Sequence, residues 1–376
     1  MRFETISVHA GGGPDPATGA LAPAIHPSTT YRHAADGAPL HGRLYVREGN
    51  PTEDRLESAL AALEGGESAL AFASGSAAAA ALLQALPEGI SIAFHRDLYH
   101  GVLAVAREFL PRWGKDALFA DLGDPDETRI ALAQGARVVW VETPTNPRLE
   151  IIDLRELAAL AHEAGALLVV DGTFATPALQ QPLALGADVV LHSTTKYLGG
   201  HSDVLGGALV FARDPSLAEL AERARHVRHM LGGIASPFGS WLVLRGLRSL
   251  ACRMERHSAN ALAVAHALAA HPKIAHVLYP GLASHPGHET ASRQMRAFGG
   301  MIALRVGGGR EAAIGVAARL ELFTNATSLG GVESLVEHRA SVEGPGSTAP
   351  DDLLRLSIGL EHPDDLVDDL VRALAG

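Results

Sequence analysis

The sequence predicts an α/β fold, with a large, mainly parallel sheet followed by a smaller C-terminal α+β domain. Three observations predict it. Short apolar runs rich in Val, Leu and Ile alternate with amphipathic stretches through the middle of the chain. At 376 residues the chain is longer than one compact core usually accommodates. Beyond about residue 240 the regular alternation gives way to a mixture of strand-like and helix-like segments.

Taken in order, residues 1–50 are rich in Gly and Pro, weakly periodic and too long for an ordinary connection. They read as an extended N-terminal arm that packs on something, often a neighbouring subunit. Residues 51–240 form the expected large domain. In it, the glycine turn Ser74-Gly75-Ser76 leads into an Ala-rich helix from Ala77. Strands are expected over Ser91–Phe94, Arg137–Val141, Ala166–Val170 and Ala187–Leu191. Helices are expected over Gly101–Phe109, Asp126–Ala133 and Leu154–Ala164, the last with Leu154, Leu157 and Leu160 on one side. Strands alternating with crossover helices imply parallel pairing and a sheet covered on both faces. After Leu205–Phe211 a long helical region runs to about Ala270 and includes Trp241–Glu255. The expected small domain, 241–376, mixes Ile274–Leu278, Gly300–Val306 and Leu353–Ile358 with helices at Ala312–Leu320 and Asp364–Ala375.

Composition narrows the function classes. Hydrophobic residues make up 47% and charged residues 19%, which is ample material for a core. A net charge of −11 argues against a nucleic-acid partner, while leaving room for a local basic pocket that holds an anionic cofactor. No run has the apolar length of a membrane span and Met1–Thr5 has no apolar signal core, so a soluble cytoplasmic protein is expected. The single cysteine, Cys252, excludes an intrachain disulfide and is expected to be a half-buried structural thiol in its helix.

In sheets of this kind the chemistry lies outside the carboxyl ends of the strands. Two segments begin directly after strand-like runs: Asp171-Gly172-Thr173-Phe174-Ala175-Thr176-Pro177 and His192-Ser193-Thr194-Thr195-Lys196-Tyr197-Leu198-Gly199-Gly200-His201. A lone lysine after a strand is ordinarily a solvated charge. Three hydroxyl residues before it and a Gly-Gly pair after it are odd for a surface loop. Pyridoxal 5′-phosphate (PLP) explains the combination, since it needs a lysine amine, a carboxylate for its pyridine nitrogen and donors for its phosphate. Lys196 and Asp171 suit the first two roles, and Ser193 and Thr195 suit the third. Gly75 and Ser76 offer a second phosphate cradle at a helix N-terminus, although Ser-Gly-Ser alone is more often an ordinary cap.

With these segments in place the chain resembles the Cys/Met-metabolism PLP-dependent family of transsulfuration enzymes, in order from about Thr5 to Glu361. The resemblance is carried by His9-Ala10-Gly11, Thr18-Gly19-Ala20, Ser28-Thr29-Thr30-Tyr31 and Tyr45-Val46-Arg47-Glu48-Gly49-Asn50-Pro51-Thr52. Further along it includes Glu142-Thr143-Pro144-Thr145-Asn146-Pro147, Trp241 to Leu247 with Asn260-Ala261, Ser328 to Leu335, and Arg355-Leu356-Ser357-Ile358-Gly359. Any one of these segments is weak; their common order is specific.

The resemblance implies the type I fold of PLP-dependent transferases, with a seven-stranded large sheet, and a homotetramer built from dimers that share active sites. It implies that Lys196 carries the cofactor and shuttles protons, that Tyr99 stacks on the ring and serves catalysis, and that Asn146 lies near the cofactor's phenolic oxygen and the substrate. Gly75 and Ser76 correspond to phosphate donors, and Tyr45 and Arg47 to a pair reaching the phosphate of the adjacent subunit. Arg355 corresponds to the clamp on the substrate α-carboxylate, with Ser328 beside it.

The chain also departs from the family pattern. Gly172 stands where Asn is usual, and His100-Gly101-Val102 replaces a Thr-containing turn. Methionine γ-lyases carry a cysteine at about Gly101, so that activity is disfavoured. Thr327 stands where many cystathionine-using members have a glutamate for the distal amino group. Arg339 replaces a common proline, and Ser341-Val342-Glu343-Gly344-Pro345 replaces a Met-Thr-His-like loop.

The resemblance favours γ-elimination or γ-replacement on a homocysteine- or homoserine-derived amino acid, because Ser328-Leu329-Gly330-Gly331 is similar to the γ-acting members. A cystathionine β-lyase and an O-acylhomoserine sulfhydrylase are the alternatives. An aminotransferase sharing only the fold is opposed by matches far from the cofactor, and a non-catalytic PLP-binding protein by the presence of Lys196, Asp171, Tyr99 and Arg355 together. The 19 histidines suggest metal, but neither His285-Pro286-Gly287-His288 nor the pair His192 and His201 has zinc-site partners, so no metal is expected. Gly11–Gly13 and Gly307–Gly309 read as turns, and Glu142 as either a catalytic or a structural carboxylate.

Overall fold

The computed structural model describes residues 1–345 and 347–376 and contains two sheets. The large sheet comprises β1 (Ser68–Phe72), β2 (Ser91–His95), β3 (Asp116–Ala120), β4 (Ala136–Glu142), β5 (Leu167–Asp171), β6 (Val189–His192) and β7 (Gly207–Phe211), in the order β1-β7-β6-β5-β4-β2-β3. All pairings from β6 to β3 are parallel; β7 runs antiparallel to both β6 and β1. The expected seven-stranded, mainly parallel sheet is present. The second sheet holds β8 (Ile274–Leu278), β9 (Met301–Val306), β10 (Thr324–Asn325), β11 (Leu335–His338) and β12 (Leu353–Ser357), in the order β10-β11-β12-β9-β8.

Helices cover both faces of the large sheet, as its doubly apolar strands require. The helices Gly75–Ala85, His100–Glu108 and Ala218–Leu231 contribute Leu82, Leu83, Val102, Leu103 and Leu220 to one apolar cluster with Leu70, Phe94, Trp140 and Leu209 of the sheet. The helices Pro51–Glu64 and Pro237–Leu247 close part of the other face through Leu56, Leu60, Leu244 and Leu247. Each such leucine contributes about 1.5–3 kcal/mol by leaving water.

Several segments differ from the sequence reading. The arm is not extended throughout: Phe3–His9 is a helix that buries Phe3, and the Ser7 hydroxyl donates to Leu247 O at 2.5 Å. Trp241–Glu255 is split between Pro237–Leu247 and Leu250–Leu268, which meet at Arg248 and Ser249. Gly246 allows the first of these helices to touch the lysine loop, since a Cβ there would lie 2.3 Å from Gly199 O. Cys252 is exposed rather than half-buried, because the helix Leu250–Leu268 turns Arg253, Met254 and His257 inward and leaves position 252 on its outer side. We retain the division at 240/241 as a proposal; those residues lie within one helix, so the chain passes from one sheet to the other through helical structure. Among the described residues no helix is long and apolar enough to cross a membrane.

The topology places the site. The carboxyl ends of β4, β5 and β6 share one edge, and reversal of β7 brings its first residue, Gly207, there too. A Cβ on Gly207 would lie 2.2 Å from Ser74 O, so glycine lets the turn after β1 lie against β7.

Candidate active site

At that edge a cavity of about 420 Å³ opens between the two sheets. Gly75, Ser76, Tyr99, Asn146, Asp171, Ser193, Thr195, Lys196, Ser328 and Arg355, ten of the residues singled out from sequence, all line it.

Lys196 sits in the tight turn after β6. Gly200 N–H donates to Lys196 O at 2.8 Å, and Gly199 N–H to Thr194 O at 2.9 Å. Arg253 braces the turn by donating to Tyr197 O at 2.7 Å. The Lys196 amine donates to Ser328 Oγ at 2.7 Å. Burial, with the nearby Arg355 cation second, lowers its pKa to about 8 from the ordinary 10.5. A substantially larger share of the amine than of an ordinary lysine is therefore neutral near pH 7, the form a nucleophile or base must have.

Asp171 closes β5 at 6% exposure. Burial raises its pKa, opposed by hydrogen bonding to Thr173, whose N–H donates to Asp171 Oδ1 at 3.0 Å. The Thr173 hydroxyl in turn accepts from Ser193 N–H at 2.9 Å, linking the two strand ends. Behind them His192 Nε2 pairs with Glu64 at 2.5 Å, both side chains fully buried.

One end of the cavity is the N-terminus of a helix. Ser74 caps the helix Gly75–Ala85 by accepting from Ala77 N–H at 3.0 Å. Among the described residues the N–H groups of Gly75 and Ser76 have no acceptor, so they remain available to an anion at the helix N-terminus. A Cβ on Gly75 would meet Ser193 Cβ at 3.0 Å, so the cradle requires glycine there. The Thr195 hydroxyl is already engaged, donating to Gly206 O at 3.1 Å and accepting from Gly206 N–H at 3.0 Å. These free donors at one end and a buried carboxylate at the other fit the phosphate and the protonated ring nitrogen of PLP.

Tyr99 stands at the start of the helix His100–Glu108, and its N–H donates to Glu142 Oε2 at 2.8 Å. Glu142 is fully buried, and burial pushes its pKa well up, with the Asp171 charge next in effect. Gly101 explains the pose of the ring, because a Cβ there would lie 2.5 Å from Tyr99 Cε1.

The opposite end of the cavity is built from β11, β12 and the segment before them. Arg355 lies opposite Glu337 in the antiparallel register and is ion-paired with it. Arg355 also donates to Asn146 Oδ1 at 3.0 Å and to Ser328 O at 2.9 Å. Burial lowers the Arg355 pKa to about 10 and leaves it a cation at neutral pH. The helix Arg339–Glu343 adds Arg339, Val342 and Glu343 to the wall.

Tyr45 and Arg47 are not brought into this cavity. They stand exposed on the arm, with the guanidinium 4.9 Å from the Tyr45 ring centre. Sequence reasoning passed over Glu337 and gave no role to Thr173 or Glu343. Thr173 is two residues after Asp171, where its link to Ser193 depends on the adjacent strand. The role of Glu337 requires knowledge of the β11–β12 register. Among the described residues no cluster of three metal-ligating side chains forms.

Comparison with known proteins shows the family of the chain. The family model for the Cys/Met metabolism PLP-dependent enzymes matches residues 4–375. A cystathionine gamma-synthase of Mycobacterium tuberculosis is 48% identical over 98% of this chain and 96% of its own length. A cystathionine beta-lyase of Coxiella burnetii is 43% identical over 99% and 97%. The crystal structure of a Xanthomonas oryzae cystathionine gamma-synthase in complex with aminoacrylate and cysteine superposes with a TM-score of 0.95, at 43% identity, covering 100% of this chain and 98% of that one.

Proposed function

The chain belongs to the Cys/Met metabolism PLP-dependent enzymes, and from that premise we propose that it acts at Cγ of a homocysteine- or homoserine-derived amino acid, as a cystathionine γ-synthase or γ-lyase does. The observation that carries this reading is the shared cavity, in which the Lys196 amine, the Asp171 carboxylate and the Arg355 guanidinium meet. The 48% identity to a cystathionine gamma-synthase favours Cγ over Cβ. The Coxiella burnetii relative keeps β-lysis as the second reading.

When bound, PLP supplies an electron sink for charge that develops on the substrate. Asp171 would hold the proton on the ring nitrogen, and the Gly75 and Ser76 N–H groups with Ser193 would hold the phosphate. Tyr99 would cover the ring face. Arg355, carried on a rigid strand, would fix the substrate α-carboxylate, with Asn146 and Ser328 setting the guanidinium's orientation. Lys196, its amine neutral, would take the proton from Cα, hand it on to the cofactor side of the bound substrate, and, neutral again, take one from Cβ. The hydroxyl of Ser328, 2.7 Å from its amine, would steady it between those positions.

L-Cystathionine separates the two readings. Release of 2-oxobutanoate with cysteine is expected, and synthesis of cystathionine from an acylated homoserine plus cysteine would mark the replacement reaction. Pyruvate with homocysteine would establish β-lysis instead.

We further propose a homotetramer of dimers in the cytoplasm, with Tyr45 and Arg47 reaching the phosphate of a neighbouring subunit. Their exposure on the arm, outside their own chain's cavity, supports the exchange. Inactive Lys196→Ala chains mixed with inactive Arg47→Ala chains are then expected to recover activity, up to about a quarter of wild type, since one hybrid site has both parts intact. No recovery after verified subunit exchange would assign each site to one chain.

A further inference from the structure

We infer that Arg339 and Glu343 form a reader for the zwitterionic far end of the substrate: Arg339 takes a carboxylate, Glu343 takes an ammonium, and in the free protein each stands in for the other's ligand. The inference rests on the Cγ reading above and names the distal group that reading left open. Its starting point is the departure seen in the sequence. Arg339 and the 341–345 segment replace the residues usual in the family, and Thr327 offers no carboxylate for a distal ammonium.

In the structure these replacements face the reacting centre. Arg339, Glu343 and Thr327 line the same cavity as Lys196. The side chains of Arg339 and Glu343 are only 7% and 8% exposed, and they pair directly across one turn of the helix Arg339–Glu343. Arg339 Nη1 also donates to Glu337 at 2.8 Å, whereas its Nε is buried without a partner. The Nε–Nη2 edge is thus half used, by Glu343 alone. Glu343 Oε2 accepts from the Ser347 hydroxyl at 2.6 Å, which can hold the carboxylate if Oε1 turns away from Arg339.

Charge balance then selects the ligand. A terminal amino-acid group can open the Arg339–Glu343 pair without leaving any charge alone: its carboxylate docks on the freed guanidinium edge and its ammonium meets Glu343. A neutral acyl end cannot compensate both ions, and a single carboxylate would strand Glu343 in a buried setting, which is strongly unfavourable. The distal half of cystathionine and an incoming cysteine both carry the required zwitterion, whereas an acetyl group does not.

The test is keto-acid release from L-cystathionine and from O-acetyl-L-homoserine by cofactor-loaded wild type, Glu343→Gln and Arg339→Lys. Glutamine keeps the shape and hydrogen-bonding capacity of position 343, and lysine keeps the charge at 339 without the two-pronged edge. In both variants the kcat/KM ratio for cystathionine over O-acetyl-L-homoserine is expected to fall roughly tenfold or more, mainly through a higher KM for cystathionine. A ratio within about twofold of wild type in either variant overturns the inference and leaves the Cγ reading standing. Failure of the wild type to process any γ-substituted homoserine overturns both.

Discussion

Replacing Lys196 with alanine is expected to lower kcat/KM by more than about ten-thousandfold, since one change removes both the covalent anchor and the mobile base. Purified wild type should be yellow, and borohydride should fix the cofactor to the peptide containing Lys196. Label on another lysine would refute the assignment. The pH dependence follows from a lysine whose pKa is lowered to about 8. Only the neutral amine attacks the cofactor aldehyde, so capture of PLP by cofactor-free protein should accelerate as pH rises towards about 8 and level off above it. A rate that keeps climbing tenfold per pH unit to pH 10 would show that burial does not lower this amine's pKa.

Arg355→Ala is the second large effect. The guanidinium offers charge-assisted hydrogen bonds worth roughly 1.5–3 kcal/mol each, and losing the pair presented to a carboxylate should cost kcat/KM about a hundred- to ten-thousandfold. The change should appear chiefly in KM. It also deprives buried Glu337 of its cross-strand partner, leaving Arg339 as its remaining counter-ion. A lower melting temperature should therefore accompany the kinetic loss. Arg355→Lys should restore charge and part of the stability, but little of the two-pronged grip. A loss below tenfold in the alanine variant would remove Arg355 from the carboxylate clamp.

Asp171 and Lys196 were legible because they end or follow strands whose apolar character is plain. Val169-Val170-Asp171 and Val190-Leu191-His192 announce a buried strand and its end in adjacent letters. β1 was hidden by its composition, Ser-Ala-Leu-Ala-Phe, which has little β-branching. β3 was hidden as a half-exposed edge strand with only one pairing partner. β11 is four residues long, and its significance lies in the register that sets Glu337 opposite Arg355. Sequence periodicity gives faces, not registers. The disagreement at Cys252 has a similar cause, because a helix with polar residues on its buried side, Arg253 and His257, misleads any reading based on hydrophobicity.

The reversal of β7 also sets a timetable for the newborn chain. The turn at Ser74 to Ser76 is synthesised early, but its opposite wall consists of Ser193 and Gly207, which are made only after five further strands. While the ribosome is still adding those strands, β1 has no edge to join, because among the described residues β7 is its one partner in the sheet. Release of the Gly207–Phe211 segment therefore closes the sheet and completes the cradle in one event. Arg355, on the other wall of the cavity, is at that moment still to be translated.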